Sequence, residues 1–334
     1  MSKRVRTNES QALVLTQSRT KSTLASPLLK LQGHLGAVYS LSFSPSGSSL
    51  ASSSFDRTVL LWSVGYNCAN YNVLKGWKNA VLQISWSQDG SERLAACSAD
   101  KTVTVHDCLT GSRIKKWTSH SGVVNAVDFS AVGGDLVVSG GDDRYVMLYD
   151  LRTPKKEVLS WEEQAQVTAV AFSKDNLTVF AGTVGDDISA TDVRALGAPA
   201  APRLYTLSGH VDTVTGLSLS PDGTSLLSNS MDGTLKSWDV QPYCSGGPSR
   251  LLKTFRGVSH NAEKRLLRCS WSADGEMVTA GGADGVVRIW DVPTAEELYK
   301  LPGHGGSVND VRFHPTMPVL ASASTDKSII LGEL

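Results

Sequence analysis

Apolar and polar residues alternate along most of this chain in short runs, and the runs recur. VLLWSV, VTVHDC, VMLYDL, TLKSWDV and VRIWDV switch between apolar and polar with period two and are rich in β-branched residues, the pattern of a strand and not of a helix. Seven segments carry an apolar residue at the same place: Val38, Val81, Val124, Val167, Val214, Leu266 and Val308. The first four of these lie 43 residues apart, and the later gaps are 47, 52 and 42. Within a unit, SPSG, SQDG, SPDG and SADG supply a first turn in which Gly can take positive φ. FDRT, ADKT, MDGT and ADGV then tighten a hairpin. A short strand such as YNVLKG, RLYTLSG or LYKLPG leads into the next unit. Each unit therefore predicts four short strands.

Two marks sit at fixed places in the units. Gly33–His34, Gly209–His210 and Gly303–His304 give a GH pair near the start; Trp62–Ser63, Trp238–Asp239 and Trp290–Asp291 give a WD or near-WD pair at the end. Four strands per unit at this period, with these marks, are the signature of β-propeller blades. The chain resembles the WD-repeat family over residues 27–334, which implies an all-β, seven-bladed propeller. That family closes its ring by pairing an N-terminal strand with the last blade. Here residues 28–31 would complete the blade of residues 303–334, which stops at LGEL after its third strand, and so remove an exposed sheet edge. Deleting residues 26–32 is expected to destabilise the ring far more than deleting 1–25. The propeller is expected over 26–334. Residues 1–25 are polar, with Lys3, Arg4, Arg6, Arg19 and Lys21 against Glu9, and read as a disordered basic arm. LGAPAAP (196–202) and PYCSGGPS (242–249) read as loops.

Charge and composition narrow the function classes. Lysine plus arginine equals aspartate plus glutamate, 32 each in 334 residues, which argues against a dedicated non-specific nucleic-acid binder. No apolar run approaches the ~20 residues of a membrane span. Neither is there an apolar signal-peptide core at the N-terminus. The five cysteines, Cys68, Cys97, Cys108, Cys244 and Cys269, include no C-x-x-C pair and read as reduced thiols.

Ser, His and Asp recur in every well-formed unit, which invites comparison with a hydrolase. In the first blade they are His34, Ser52 and Asp56, with Trp62; in the fifth His210, Ser228 and Asp232, with Trp238. The family uses this quartet as a structural hydrogen-bond chain: Trp donates to Ser, Ser to His and His to Asp. An enzyme needs one site, whereas this set repeats and comes with no G-x-S-x-G elbow. No catalytic residue, metal site or cofactor is therefore expected, and Asp142 beside Asp143 reads as a rim residue next to a quartet residue. The repeats decay unevenly. Tyr149 replaces Trp in the third blade and Gly332 in the seventh; the second has Trp77 for His and Ala96 for Ser. The fourth has Gly185 for Asp and Thr191 for Trp. That blade is expected to be held mainly by apolar contacts.

SHNAEKRLLRCSW (259–271) breaks the rhythm. His260 lies six residues before Leu266 where regular blades have four, so the loop feeding the sixth inner strand is longer and carries Asn261, Glu263, Lys264 and Arg265. Loops of a repeat array often bind partners. Together with Tyr39, Phe55, Asp142 and Met231, residues His260, Asn261, Glu263, Lys264 and Arg265 are the candidate partner contacts; apolar Phe55 and Met231 at a rim are the more telling. SHNAEKRLLRCSWSADG, ELYKLPGHGGSVNDVRFHP, VTGLSLSPDGTSLLSNSMDGTLKSWDV, DRTVLLWSVGYNCANYNVLKG and SASTDKSIILGEL resemble the spliceosomal members of the WD-repeat family. This resemblance implies a non-enzymatic nuclear scaffold that docks on the large scaffold protein of the U5 small nuclear ribonucleoprotein and on other spliceosomal proteins. RNA association would be mainly indirect, with no membrane and no small-molecule substrate. The rival is a substrate receptor of a cullin-type ubiquitin ligase, on the half-matches YDLR and TDVR to W-D-x-R, with Arg152 and Arg194 at stake.

Overall fold

The computed structural model describes residues 24–66, 68–154, 157–194, 202–243 and 249–334. Most of the 1–25 arm and of the two long loops thus lies outside the described residues. The alternating runs form strands gathered into seven four-stranded antiparallel sheets. Six sheets are consecutive along the chain, and the first is typical: Val38–Phe43, Ser49–Ser54, Val59–Ser63 and Asn70–Leu74. The seventh takes Val308–Phe313, Val319–Ser324 and Ser328–Glu333 from the end of the chain and Leu28–Gln32 from its beginning. Leu28 faces Gly332 and Leu31 faces Ile329 in that pairing.

Each inner strand packs against the inner strand of the next blade, and the last packs against the first, so the ring is closed. The core is divided accordingly into seven clusters, one in each gap between neighbouring blades; the cluster at the closure joins Val38, Leu41 and Trp62 of blade 1 to Val319, Ala321 and Leu331 of blade 7. Each such side chain contributes ~1.5–3 kcal/mol relative to exposure, so most of the stability lies between blades. Polar ties cross the same gaps. Asp310 of blade 7 accepts from Ser40 Oγ at 2.8 Å and from the Leu41 amide at 2.9 Å. Asp128 of blade 3 accepts from Ser85 Oγ of blade 2 and from the Phe172 amide of blade 4.

Six inner strands are six residues long and shift register after their first residue, as at Val38/Ser40 and Val214/Gly216. The sixth blade differs: its inner strand is only Cys269–Trp271.

Candidate functional site

The quartets are polar chains inside single blades. In blade 1 the Trp62 indole N–H donates to Ser52 Oγ at 2.9 Å, Ser52 Oγ lies 2.8 Å from His34 Nε2, and His34 Nδ1 lies 2.9 Å from Asp56 Oδ2. Blade 5 repeats this at 2.8, 2.7 and 2.9 Å with Trp238, Ser228, His210 and Asp232. With the imidazole proton on Nδ1, every donor meets an acceptor. Burial pushes the Asp56 carboxyl up, but hydrogen bonds from His34, Thr58 and the Leu35 amide outweigh it and leave the acid below the ordinary range. Burial lowers the His210 pKa against the pull of Asp232. Ser52 and Ser228 are fully buried, so neither hydroxyl can meet a substrate; the arrangement braces a sheet.

Other blades vary the theme. In blade 3, His120 holds Ser139 and Asp143 at 2.7 and 2.9 Å, and Tyr149 stacks on Trp117 at 4.5 Å. Blade 7 keeps His304, Ser322 and Asp326. Blade 2 exchanges its two rings: Trp77 stands at the histidine place and donates to Thr104 Oγ1 at 3.1 Å, while His106 stands at the tryptophan place, 4.9 Å away ring to ring. Blade 4 packs apolar side chains against both neighbours and adds a polar centre that the sequence reading did not include. Glu163 takes the histidine place, is buried, and accepts from Trp161 Nε1, Ser189 Oγ and Arg203. A buried glutamate tied to a guanidinium replaces the histidine-to-aspartate chain, and no repeat mark announces it.

Blade 6 shows where the extra residues go. The Ala283 amide donates to the Ser259 carbonyl, as the Phe55 amide does to Ala37 in blade 1. The Ser259 carbonyl therefore takes the role of the Ala37 carbonyl. Buried Val258 follows positive-φ Gly257 as Trp77 follows Gly76 and His210 follows Gly209, so it stands in the histidine place, two residues nearer to Ser259 than His34 is to Ala37. The insertion lies inside the inner strand and not before it. Residues 260–268 leave the sheet and rejoin at Cys269. Without His and Ser partners, the Trp290 indole donates to the Arg256 carbonyl at 3.1 Å.

The excursion delivers Arg268 into the centre of the ring. Its side chain is 3% exposed and donates to the Asn125 carbonyl of blade 3 at 2.7 Å and the Thr168 carbonyl of blade 4 at 3.4 Å. Its own amide donates to the Asn309 carbonyl. Above it opens a cavity of about 350 Å³, lined by Tyr39, Leu82, Glu263, Arg265, Leu266, Arg268 and Asn309. The fold thus brings three partner candidates, Tyr39, Glu263 and Arg265, to one channel mouth; Glu263 and Arg265 pair at 2.6 Å on its rim. Asn261 and Lys264 are exposed on the same excursion. The other candidates do not line this cavity. Phe55 is 58% exposed, Met231 is half-buried, and Asp142 accepts from Asn125 Nδ2 at 2.7 Å. His260 is half-buried, burial lowers its pKa against the pull of Asp232 and Asp212, and its Nε2 is buried without a hydrogen-bond partner. Arg268, Asn309 and Leu82 were not among the sequence candidates; the second arginine of RLLR was the available signal.

Arg152 and Arg194 each fold back on the aspartate two residues before, at 2.9 and 2.5 Å. Among the described residues no group of three or more His, Cys, Asp or Glu side chains is placed to hold a metal ion.

Comparison with known proteins fits this ring. The model of the family "WD domain, G-beta repeat" matches residues 25–63, 69–107, 111–150, 202–239, 249–291 and 295–331. The chain belongs to the WD-repeat family. Most of blade 4, where Glu163 replaces the histidine, falls between the matched stretches of this WD-repeat chain. It is 42% identical to the U5 small nuclear ribonucleoprotein 40 kDa protein of Dictyostelium discoideum, over 96% of this chain and 88% of that protein. To the human protein of the same name it is 45% identical, over 94% and 85%. To the pre-mRNA-splicing factor cwf17 of Schizosaccharomyces pombe it is 39% identical, over 94% and 89%.

Proposed function

We propose that this chain is a non-enzymatic scaffold of pre-mRNA splicing, a subunit of the U5 small nuclear ribonucleoprotein that works in the nucleus. In this reading it docks on the large U5 scaffold protein and contacts other spliceosomal proteins, while RNA is held mainly by those partners. The observation that carries the reading is the 42–45% identity along nearly the whole chain to proteins named as U5 components. A rigid ring suits the role, because short loops held on a closed sheet array lose little freedom on binding. The contacts are assigned to the channel mouth and its rim: Tyr39, Glu263, Lys264 and Arg265 first, with Asn261 and His260 on the same excursion. Phe55, Met231 and Asp142 are assigned to a second group of contacts on the rim.

Affinity purification of the tagged chain from nuclear extract, with proteins and RNA identified, tests this. The expected result is recovery of the large U5 protein with U5 RNA, and its loss when Lys264→Glu and Arg265→Glu are combined. Recovery of a cullin and its adaptor without U5 components would overturn the reading and turn attention to Arg152 and Arg194.

A further inference from the structure

The tryptophan place of blade 7 is vacant, and the vacancy has a definite shape. In blade 1 the Trp62 ring lies against Gly33, 3.0 Å from where a Cβ there would stand; in blade 5 the Trp238 ring lies against Gly209 at 3.2 Å. At the matching Gly303 the nearest atom is Ile330 Cδ1 at 3.4 Å, because Gly332 brings no ring. What remains is a cavity of about 170 Å³ bounded by Leu28, Leu301, Gly303, His304, Ser322 and Ile330. The His304 side chain is 2% exposed and stays as buried as those of His34, His120 and His210, so the opening lies at the vacated ring place and not at the imidazole. Ser322 is 95% buried, as its 5% exposure records, and its Oγ contacts His304 Nε2 at 2.8 Å and the Ile330 carbonyl at 3.4 Å. The corresponding hydroxyls of Ser52 and Ser228 also accept an indole N–H, at 2.9 and 2.8 Å. The rim is apolar and open: Leu28 is 63% exposed, Leu301 37%, and Pro302 is exposed.

We propose that this slot between blades 6 and 7 is a docking site for a tryptophan side chain of another protein, with the ring in the vacated place and its N–H on Ser322 Oγ. The chain's own repeats specify the ligand, since the same pocket walls hold an indole in blades 1 and 5. None of residues 1–23, 67, 155–156, 195–201 and 244–248 is Trp, Tyr or Phe, so these segments do not supply the ring. An apolar slot with one buried polar atom, rimmed by exposed leucines, suits an aromatic anchor with one donor. The slot is separate from the channel mouth, so the inference stands independently of the splicing reading.

The test titrates free indole and N-acetyl-tryptophan amide into the full chain with labelled Leu and Ile methyl groups. Saturable shifts are expected at Leu28, Leu301 and Ile330. 1-Methylindole, which lacks the donor, should bind about three- to tenfold more weakly. Gly332→Trp should fill the slot from within, raise the melting temperature and abolish indole binding; nothing but Leu28 Cδ1, at 3.7 Å, meets a Cβ at this position. Absence of saturable shifts at the three residues overturns the proposal, as does equal binding of the two indoles. Unchanged indole binding by a folded Gly332→Trp chain also overturns it. If that variant does not fold, the methyl shifts and the methylindole ratio decide alone.

Discussion

Blades 5 and 6 are neighbours with the same strand order and the same tryptophan, but their repeat positions carry different burdens. In blade 5, Asp232 ends a buried chain: it accepts from His210 Nδ1 at 2.9 Å, the Val211 amide at 3.2 Å, and Thr234 through its amide at 2.9 Å and hydroxyl at 2.6 Å. In blade 6 the equivalent Asp284 accepts from Arg288 and the Val286 amide, with its side chain 34% exposed. The blade that gave up its internal chain is the one whose inner strand leaves the sheet and sends Arg268 across the channel. The quartet is thus a brace that a blade can lose when apolar contacts with both neighbours persist, and the loss frees backbone for another use.

The sharpest way to break this comparison is to remove both aspartates in turn. Asp232→Ala leaves four donors without their acceptor, and should cost roughly 3 kcal/mol of unfolding free energy, since hydrogen bonds to charged groups are worth about 1.5–3 kcal/mol each and buried donors are then stranded. Asp284→Ala removes a carboxylate that is one-third exposed and leaves Arg288 its contact with Glu297, so it should cost less, about 1 kcal/mol. Urea unfolding of the two variants checks this. Equal costs would mean that the quartet position is no more important in blade 5 than in blade 6.

A second test addresses how blade 6 reaches the channel. Gly216, in the inner strand of blade 5, lies so close to the excursion that a Cβ would stand 3.0 Å from Arg268 Cα and 3.1 Å from the Leu267 carbonyl oxygen. These are backbone atoms, which cannot rotate away. Gly216→Val should therefore destabilise by about 2 kcal/mol through overpacking, and the change should be seen at the channel mouth before the rest of the ring. Gly332→Trp, which enters open space, should not have this effect.

Much of this architecture was legible in the chain because its cause is local and repeated. Period-two alternation gave the strands, the turn tetrads gave the hairpins, and LGEL with no fourth strand pointed to closure by residues 28–31. The position of the insertion was not legible. Leu266 looks like the apolar anchor of its unit, yet fully buried Leu267 lies in the core and Leu266 lines the mouth. The Ala283–Ser259 hydrogen bond shows where the chain leaves the sheet and Gly257 shows where the unit begins, while Val258 in the histidine place is an apolar residue with no mark to find it by. Arg268 and Glu163 were invisible for another reason. Asn125 is 143 residues from Arg268, beyond any spacing rule within one unit; Arg203 is 40 residues from Glu163, inside the unit but at a place where the other units carry no mark.

Acid should expose the same contrast more gently. The buried histidines His120, His210 and His304 have pKa values lowered by burial, and that of His106 is lowered to about 4. A lowered histidine binds its proton more readily in the unfolded chain. It adds stability that is complete above its unfolded pKa near 6.5 and is lost as the pH falls toward the folded value. The lowered carboxylates Asp56, Asp143, Asp232 and Asp326 act in the same direction below about pH 4. Stability should therefore fall in two stages on acidification. His106→Phe should flatten the first, between about pH 6.5 and 4, by about one proton. An unchanged slope would remove blade 2 from this account.

The smallest expected effect is on the excursion itself. Glu263 and Arg265 pair at 2.6 Å, but their side chains are 57% and 30% exposed, and such pairs contribute little in water. Glu263→Gln should leave the unfolding free energy within about 0.5 kcal/mol of the parent. That near-neutrality makes the position useful. The residues that hold the excursion in place are the buried ones, Leu267 and Arg268, so the rim can change charge without moving the backbone. A loss of partner binding in a Glu263→Gln chain of unchanged stability would report contact at the rim. Unchanged binding would move the interface toward Tyr39 and Leu82 on the opposite wall of the mouth. A fall in stability of 2 kcal/mol or more would mean that the pair fastens the excursion to the ring, and that blade 6 has replaced its lost brace with one at the surface.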